Sequence, residues 1–469
     1  MNALSHGKGI ALPLALMLCV LVRLCFVDRL LWFDEYASLY FARQPLQHLW
    51  GDWMLRETNP PLFYSLLRGW SLLVPSSPAA LRVLPIAIGT GSVALIYVGM
   101  RAVFGAPAGL VAALIGAVAP LHVLYSLELR GYILEFAGVS ASLFALMIVG
   151  DENRRRVHPF AWAGYVLGCL IAIYSHTTAL LWPPIASVAL AASDPSHWRT
   201  REQLRRLIGA NLAVALGAAW WLTITLQQGV YHQNLQWLQD RGVSGNLRLV
   251  RQSVFLLDAP SKLRNFLLLP ILMLIALALH RARRDRNARF LCIVFALSVL
   301  TFMGMSFVRP IAVERTLFWM NIFSICLVAI GLTSLPTGRV RTAAAMVLGA
   351  ALVSGLLVAR TRGMEEWSAD LKVIAAQPNA GVVTFGDAQS LVLSEACEMY
   401  LRRPTCPFPV FVLPQDPPGL DQWAVGAGRP RPTPGPIIVS QRVSLHVFRH
   451  MEGLRRIDAR QVPGIRVVP

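Results

Sequence analysis

The sequence predicts an all-α polytopic membrane protein with about eleven transmembrane helices and a small C-terminal α/β domain. Of its 469 residues, 55% are hydrophobic and only 14% are charged, and the mean hydropathy is +0.53. One soluble core cannot bury so much apolar surface, so lipid must cover the remainder. A series of apolar runs, each long enough to cross a bilayer, supports the same class.

The apolar runs divide the chain into a membrane domain and a tail. They lie near residues 9–27, 82–104, 108–124, 132–149, 160–175, 177–192, 207–226, 263–280, 290–307, 314–334 and 342–359. The first run is too long for a cleaved signal peptide, and no small-residue cleavage site follows it. We therefore expect a transmembrane domain over 1–360, with 28–81 as its first outer loop, and a soluble domain over 361–469.

Arginines in the short loops predict the orientation. Four groups fall on one face if the spans alternate: Arg154, Arg155 and Arg156; Arg199, Arg201, Arg205 and Arg206; Arg281, Arg283, Arg284, Arg286 and Arg289; Arg339 and Arg341. The positive-inside rule makes this face cytoplasmic, together with the N-terminus. It also accounts for the net charge of +18 without nucleic acid. The preference for Arg over Lys is typical of a GC-rich bacterial gene, which favours the inner membrane with the opposite face in the periplasm.

The tail shows short helical and β-like patterns. Helix-like stretches cover Trp367–Ala376 and Ser390–Tyr400, and β-like stretches cover Gly381–Phe385, Pro436–Val439 and Ser444–Phe448. Cys397 and Cys406 fall in this exported region, where a disulfide is permitted, although spacing does not decide whether they pair. The five other cysteines lie in apolar segments and are interpreted as small hydrophobic residues.

Four outward segments contain polar residues that could carry chemistry. They are Trp32-Phe33-Asp34-Glu35-Tyr36; Arg56-Glu57-Thr58-Asn59-Pro60-Pro61-Leu62-Phe63-Tyr64; Tyr125-Ser126-Leu127-Glu128-Leu129-Arg130-Gly131-Tyr132, with His176-Thr177 on the next turn; and Arg309-Pro310 with Glu314-Arg315. Each segment also has a purely structural explanation. The first could be an acidic helix end and the second a plain Pro-Pro turn. The third could hold a structural Glu–Arg pair and a packed histidine, and the arginine of the fourth could snorkel to lipid headgroups.

Taken in order, these motifs resemble the GT-C membrane glycosyltransferases. More narrowly, they look like the branch that contains protein O-mannosyltransferases and bacterial aminoarabinose transferases to lipid A. The resemblance covers roughly the first 335 residues and includes Leu81-Arg82-Val83-Leu84-Pro85 and Tyr174-Ser175-His176-Thr177. The chain departs from the family pattern at Asn59, Leu127 and Thr316, where His, Gln and Tyr are usual. These departures affect acceptor contacts more than the reaction class.

The resemblance implies transfer of a sugar from a polyprenyl-phosphate donor to an acceptor hydroxyl, with inversion, by a hexosyl- or pentosyltransferase. By carry-over, Asp34 is the catalytic base and Glu35 supports it. Arg130, Arg315 and His176 bind the donor phosphate, as the charge on the leaving group requires. The expected substrate-positioning residues are Arg56, Glu57, Asn59, Tyr64, Arg82, Glu128 and Tyr132.

The implied partners are the lipid-linked donor, membrane lipids, and an acceptor that is a protein, a lipid A or a cell-envelope glycan. No glycine-rich nucleotide loop is found, which agrees with a membrane-bound donor. No cofactor is expected, and few outward carboxylates are available for a metal ion.

Two other functions remain open from the residues. In a transporter or lipid-linked sugar flippase, Glu128 and Arg130 would form a coupling pair. Neither repeated halves nor matching broken helices are seen, although transporters often have them. A structural membrane protein would not need the Asp34-Glu35 pair.

Overall fold

A computed structural model describes residues 3–149, 158–195, 201–231, 242–256, 261–308, 311–361, 371–372, 375–376, 381–403, 405–408, 410–413, 437–440 and 466–468. The chain forms two compact units. The first contains Met1–Val27, Leu46–Ser65 and Arg82–Arg362. The second contains Asp28–Pro45, Leu66–Leu81 and Gly363–Pro469. Both ends of the predicted first outer loop therefore group with the tail.

Helices account for most of the described residues. In chain order they are α1 (Ala3–Leu24), α2 (Phe33–Arg43), α3 (Leu46–Leu49), α4 (Leu62–Ser71), α5 (Pro78–Phe104), α6 (Ala106–Val118), α7 (Pro120–Tyr125), α8 (Tyr132–Val149), α9 (His158–Ile173), α10 (Trp182–Ser193), α11 (Arg201–Tyr231), α12 (Gly242–Ser253), α13 (Ser261–Ala282), α14 (Arg286–Val308), α15 (Glu314–Leu317), α16 (Asn321–Ser334), α17 (Arg339–Thr361) and α18 (Gly386–Leu401). Short 3₁₀ segments cover Asp52–Arg56, Thr177–Leu181 and Phe318–Met320.

The apolar helices make the chain an integral membrane protein. Among the described residues, six helices are long and apolar enough to cross a bilayer, and five more apolar helices are shorter. Each of the predicted runs overlaps one of these helices. How many of them cross the membrane stays a prediction.

The third predicted run is not one helix. The interval 108–124 is divided between α6 and α7, because Ala119 has extended backbone angles of φ −61° and ψ 123°. Pro120, which follows, has no N–H to donate and disfavours helical angles in the residue before it. The predicted run is therefore two helices with a break at Ala119, and the short α7 leads directly into the turn at 126–131.

An arginine inside the apolar α1 joins three segments of the first unit. Arg23 is fully buried and donates to Ser126 Oγ at 2.6 Å and to the carbonyls of Cys19 and Ala117 at 2.7 and 3.0 Å. Its Nη2 also lies 2.6 Å from His122 Nδ1. Because an ionised group in lipid is costly unless its donors are satisfied, these contacts fix α1 against α6 and α7.

The second unit combines α2, α18 and a four-stranded sheet. The strands are β1 (Gly381–Phe385), β2 (Val410–Leu413), β3 (Ile437–Ser440) and β4 (Arg466–Val468). Their spatial order is β3-β1-β2-β4, with β1 parallel to β2 and β3, and β4 antiparallel to β2. Helix α18 packs on β1, β2 and α2.

Several tail predictions can be located in this unit. The described residues include the strand predicted over Gly381–Phe385 and the helix predicted over Ser390–Tyr400. Cys397 and Cys406 form a disulfide. The predicted strand Ser444–Phe448 lies outside the described residues, as does most of the predicted helix Trp367–Ala376.

Candidate active site

Two outward turns of the first unit meet through a glycine. A Cβ atom at Gly131 would lie only 2.3 Å from the carbonyl oxygen of Ser175, a separation that no other residue type tolerates without a backbone shift. Glycine therefore lets the Glu128–Tyr132 turn approach the turn that contains His176. This contact brings together two of the motifs found in the sequence.

The Pro-Pro segment of the first loop is attached to the same place. Leu62 N–H donates to the Tyr174 carbonyl at 3.1 Å, and Thr177 Oγ1 donates to the Thr58 carbonyl at 2.7 Å. Helix α4 starts directly after Pro61, as a fixed proline φ favours. These contacts hold Glu57, Asn59 and Tyr64 beside the two turns.

A hydrogen-bonded chain leads from the first loop to Arg130. Glu57 Oε1 accepts from the backbone N and the Nδ2 of Asn59, at 3.0 and 2.6 Å, and from Tyr64 Oη at 3.1 Å. Arg130 Nη1 in turn donates to Tyr64 Oη at 3.1 Å. Burial raises the pKa of Tyr64, so it remains a phenol that donates and accepts at once.

Arg130 is a buried cation beside aromatic rings. Its residue is 6% exposed, and its guanidinium carbon lies 5.9 Å from the centre of the Tyr132 ring. The imidazole of His176 contacts the same ring, with the ring centres 5.3 Å apart. Tyr132 thus contacts two of the three predicted phosphate ligands, and its ring gives them an apolar surface that strengthens charge interactions.

His176 is held as a neutral imidazole. Burial lowers its pKa to about 3, and the positive charges of Arg130 and Arg315 add to this effect. Its Nδ1 accepts the backbone N–H of Thr178 at 3.3 Å and lies 2.6 Å from Thr178 Oγ1. Since Nδ1 is an acceptor, the ring hydrogen is on Nε2, where it can be donated to an anion.

The late Glu-Arg motif belongs to the same cluster. Tyr125 Oη donates to Glu314 Oε1 at 3.3 Å. Burial raises the pKa of Tyr125, and the negative charges of Glu314 and Glu128 raise it further while Arg315 opposes them. The arginines and glutamates of the two Glu-Arg motifs therefore lie near enough to Tyr125 or His176 to shift the pKa of these side chains within the first unit.

Other predicted positions contact the backbone. Arg82 is 1% exposed and donates to the carbonyls of Leu127 and Val27, at 3.0 and 2.9 Å. Thr316 Oγ1 accepts from Val313 N at 3.0 Å at the start of α15. Arg82 is expected to position substrate, and this stays a prediction. Arg56 ends a 3₁₀ segment, and its side chain lies outside the described structure.

Asp34 and Glu35 lie in the second unit, at the start of α2. Glu35 is fully buried, and its Oε2 accepts from Trp32 N at 3.1 Å, which satisfies a donor at the helix N-terminus. Asp34 is partly exposed. The adjacent carboxylates therefore have different environments: Glu35 supports the helix start, and Asp34 is accessible from solvent.

Helix α2 is held by contacts that the sequence motifs did not indicate. Arg43, in its last turn, forms ion pairs with Glu395, at 3.2 Å, and Glu398 of α18. Near the other end of the same helix, the rings of Tyr36 and Tyr400 pack edge to face with centres 6.3 Å apart. The helix that carries Asp34 is thus fixed to the tail helix of its own unit.

Sequence reasoning also missed Glu135 and Thr178. Glu135 is fully buried in the first turn of α8, and its Oε1 lies 2.8 Å from Thr178 Oγ1. A lone carboxyl inside an apolar run is itself an indication of function, and it could have identified Glu135.

No metal centre is evident among the described residues, in which no three His, Cys, Asp or Glu side chains are grouped as ligands. Metal independence stays a prediction.

Comparison with known proteins identifies a related domain and fold. Residues 58–222 match the family model of dolichyl-phosphate-mannose-protein mannosyltransferases. No curated protein matches the chain in sequence.

The whole chain shares its fold with solved structures. The apo structure of ArnT from Cupriavidus metallidurans aligns with a TM-score of 0.59 and 13% identity, covering 91% of this chain and 95% of ArnT. ArnT bound to undecaprenyl phosphate aligns with a TM-score of 0.57 and 12% identity, with the same coverage. The archaeal oligosaccharyltransferase AglB from Archaeoglobus fulgidus, in complex with an inhibitory peptide and a dolichol-phosphate, aligns with a TM-score of 0.51 and 12% identity, covering 85% of this chain and 64% of AglB. The resemblance to the GT-C glycosyltransferases is confirmed in the fold and in the domain over residues 58–222.

Proposed function

We propose that this protein is an inverting glycosyltransferase that moves a sugar from a polyprenyl phosphate to an acceptor hydroxyl on the periplasmic face of a bacterial inner membrane. The observation that carries the proposal is the cluster of Arg130, Arg315 and neutral His176, in which a buried arginine and a half-buried arginine lie near a buried N–H donor. Such a set suits a phosphate whose negative charge increases as it leaves.

The comparisons support the same ligand class. ArnT, whose fold this chain shares, was solved with undecaprenyl phosphate, and AglB with a dolichol-phosphate. We assign a polyprenyl phosphate to this chain on that basis.

In the proposed reaction, the acceptor oxygen attacks the anomeric carbon as the bond from that carbon to the phosphate oxygen breaks. Asp34 takes the proton of the acceptor hydroxyl, and the polyprenyl phosphate leaves with the electron pair of the broken bond. Arg130 and Arg315 stabilise the charge on the leaving phosphate, and His176 donates to one of its oxygens. No metal ion is assigned a role.

The test is transfer of radiolabelled sugar from synthetic polyprenyl-phosphate sugars by purified protein in liposomes. Asp34→Asn is expected to abolish transfer while donor still binds, because the amide cannot accept the proton. Asp52→Asn, at an exposed carboxylate of the first loop, is the matched control and should behave as the wild type. A panel of donor sugars and protein, lipid A and glycan acceptors identifies the substrates, and assays with a chelator test metal independence.

A different result of the same assay would identify a flippase. Donor binding without sugar transfer by the wild type, accompanied by movement of labelled lipid across the liposome membrane, would replace the transferase with a flippase.

A further inference from the structure

Glu135, the half-buried Thr178 and His176 form a chain of polar side chains. Glu135 Oε1 lies 2.8 Å from Thr178 Oγ1, which lies 2.6 Å from His176 Nδ1. Glu135 Oε1 is also 3.7 Å from that nitrogen. Glu135 is fully buried and His176 is 8% exposed. The chain connects the first turn of α8 to the turn that carries the proposed phosphate ligand.

The positions of the hydrogens follow from counting donors and acceptors. Nδ1 accepts the Thr178 backbone N–H at 3.3 Å and therefore has a lone pair, not a hydrogen, on that side. Thr178 Oγ1 has a single hydrogen and two short contacts, one to this lone pair and one to a carboxyl oxygen. Both contacts contain a hydrogen only if the carboxyl of Glu135 is protonated and donates to Thr178, whose hydroxyl then donates to Nδ1.

The surroundings of Glu135 agree with a neutral acid. Among the described residues, its second oxygen, Oε2, is buried and has no hydrogen-bond partner. An ionised carboxylate in such a place is costly, because neither a cation nor enough donors compensate for lost hydration. A negative charge here would also oppose the binding of a phosphate to His176, whereas a protonated acid does not.

We propose that Glu135 and Thr178 are positioning residues, which keep His176 in the tautomer that donates from Nε2 to the phosphate of the lipid donor. This inference rests on the proposed function, since it assigns a partner to His176 within the same site. Arg130 and His176 both contact the Tyr132 ring, at 5.9 and 5.3 Å from its centre. The N–H and the guanidinium can therefore serve one anion.

The first experiment measures the dissociation constant of undecaprenyl phosphate for the full-length protein in detergent. Thr178→Val removes the hydroxyl with little change in shape. We expect it to weaken binding about tenfold, which corresponds to the free energy of one hydrogen bond to a charged group, here from His176 to the phosphate. Thr178→Ser restores the hydroxyl and should return binding to within about twofold of the wild type. Thr333→Val is the matched control, because Thr333 Oγ1 bonds only helix carbonyls of α16 at 2.8 and 3.1 Å.

Glu135 variants test the protonation state. Glu135→Gln keeps a group that donates to Thr178, so its binding of undecaprenyl phosphate should remain near that of the wild type. Glu135→Met removes the donor and should weaken binding about as much as Thr178→Val. A charged Glu135 would remove this contrast, with Gln as damaging as Met. Gel filtration and the unfolding midpoint establish that each variant is folded, and the ¹⁵N spectrum of the labelled imidazole reports the tautomer directly.

The outcomes separate this inference from the proposed function. Wild-type binding and sugar transfer with an unchanged Thr178→Val variant would overturn the positioning role alone, as would an unchanged tautomer in that variant. A wild type that binds no undecaprenyl phosphate would overturn both, since His176 would then have no phosphate partner.

Discussion

At the scale of single residues, burial distinguishes the roles of similar side chains. Arg130 is 6% exposed and hydrogen-bonded to Tyr64, while Arg101 is an exposed arginine that contacts Tyr97 of its own helix. Arg130 also lies close enough to His176 to affect its pKa. A cation in this environment interacts more strongly with a bound anion than one in water does.

We predict that Arg130→Met lowers kcat/KM for sugar transfer by about 100-fold, and that Arg130→Lys lowers it about tenfold. The lysine keeps the charge but not the planar fork that binds two phosphate oxygens. Steady-state assays with the purified variants measure both effects, and Arg101→Met is the control. Wild-type kinetics in Arg130→Met would remove Arg130 from the phosphate site.

A second residue-scale prediction concerns Glu395 of the tail. Burial raises its pKa to about 7, Glu398 adds to the rise, and Arg43 opposes it. The folded state therefore binds this proton more tightly than the unfolded chain, whose value is 4.5. Tighter binding of this proton adds at most about 3 kcal/mol to the free energy of unfolding. The contribution is complete below about pH 4.5 and is lost as the pH rises through 7.

We expect the variant Glu395→Gln, which does not titrate, to gain stability relative to the wild type as the pH rises from 4.5 to 7. Hydrogen exchange of α18 amides, corrected for intrinsic rates, measures the difference. Parallel pH profiles for the two proteins would contradict the assigned shift.

At the scale of elements, contacts at both ends of α2 hold in place the helix that carries Asp34. Glu35 satisfies a donor at the beginning of the helix. Arg68 donates to the carbonyls of Ala42, Arg43 and Gln44 at 3.4, 3.0 and 3.0 Å, and so satisfies acceptors at its end. A helix of 11 residues is marginal in isolation, so these contacts and the packing on α18 account for its order.

The disulfide stabilises the partner helix α18. Cys397 and Cys406 are 9 residues apart in sequence, and closing a loop of this size is worth about 2–3 kcal/mol through the entropy of the unfolded chain. We predict that the double variant Cys397→Ser/Cys406→Ser increases the rate of hydrogen exchange in α18 by about 30- to 100-fold. Cys25→Ser, at an exposed free cysteine, should have no effect, and unchanged exchange in the double variant would assign the stability of α18 to packing alone.

Sequence patterns identified most of these elements but few of the contacts between them. Apolar length was enough to locate the helices, and Pro-Pro was enough to locate the start of α4. The break at Ala119 was missed because the apolar run continues through Pro120. Gly131 and Thr178 could not be assigned, since their importance depends on a backbone and a side chain more than 40 residues away. The Cys397–Cys406 pairing likewise depends on geometry that spacing does not give.

At the scale of the whole molecule, the arginine-rich loops imply an orientation that can be measured. We predict that alkaline phosphatase, which is active only outside the cytoplasm, is active when fused after residue 369 and inactive when fused after residue 155. Green fluorescent protein, which fluoresces only inside, should give the reverse result. The positive-inside rule is the basis of this prediction. Phosphatase activity at residue 155 would invert the topology and would move the proposed chemistry to the cytoplasmic face.

The buried Arg23 has a consequence for biosynthesis. Its partners Ala117, His122 and Ser126 follow it by 94, 99 and 103 residues, so a ribosome adding about 5–20 residues per second needs roughly 5–20 s to supply them. During that interval the guanidinium has only the Cys19 carbonyl of its own helix as a partner, and its other donors need water or lipid headgroups, which it can reach by snorkelling. We therefore expect α1 to take its final depth in the membrane only after α6 and α7 have been translated, so the order of insertion differs from the order of synthesis.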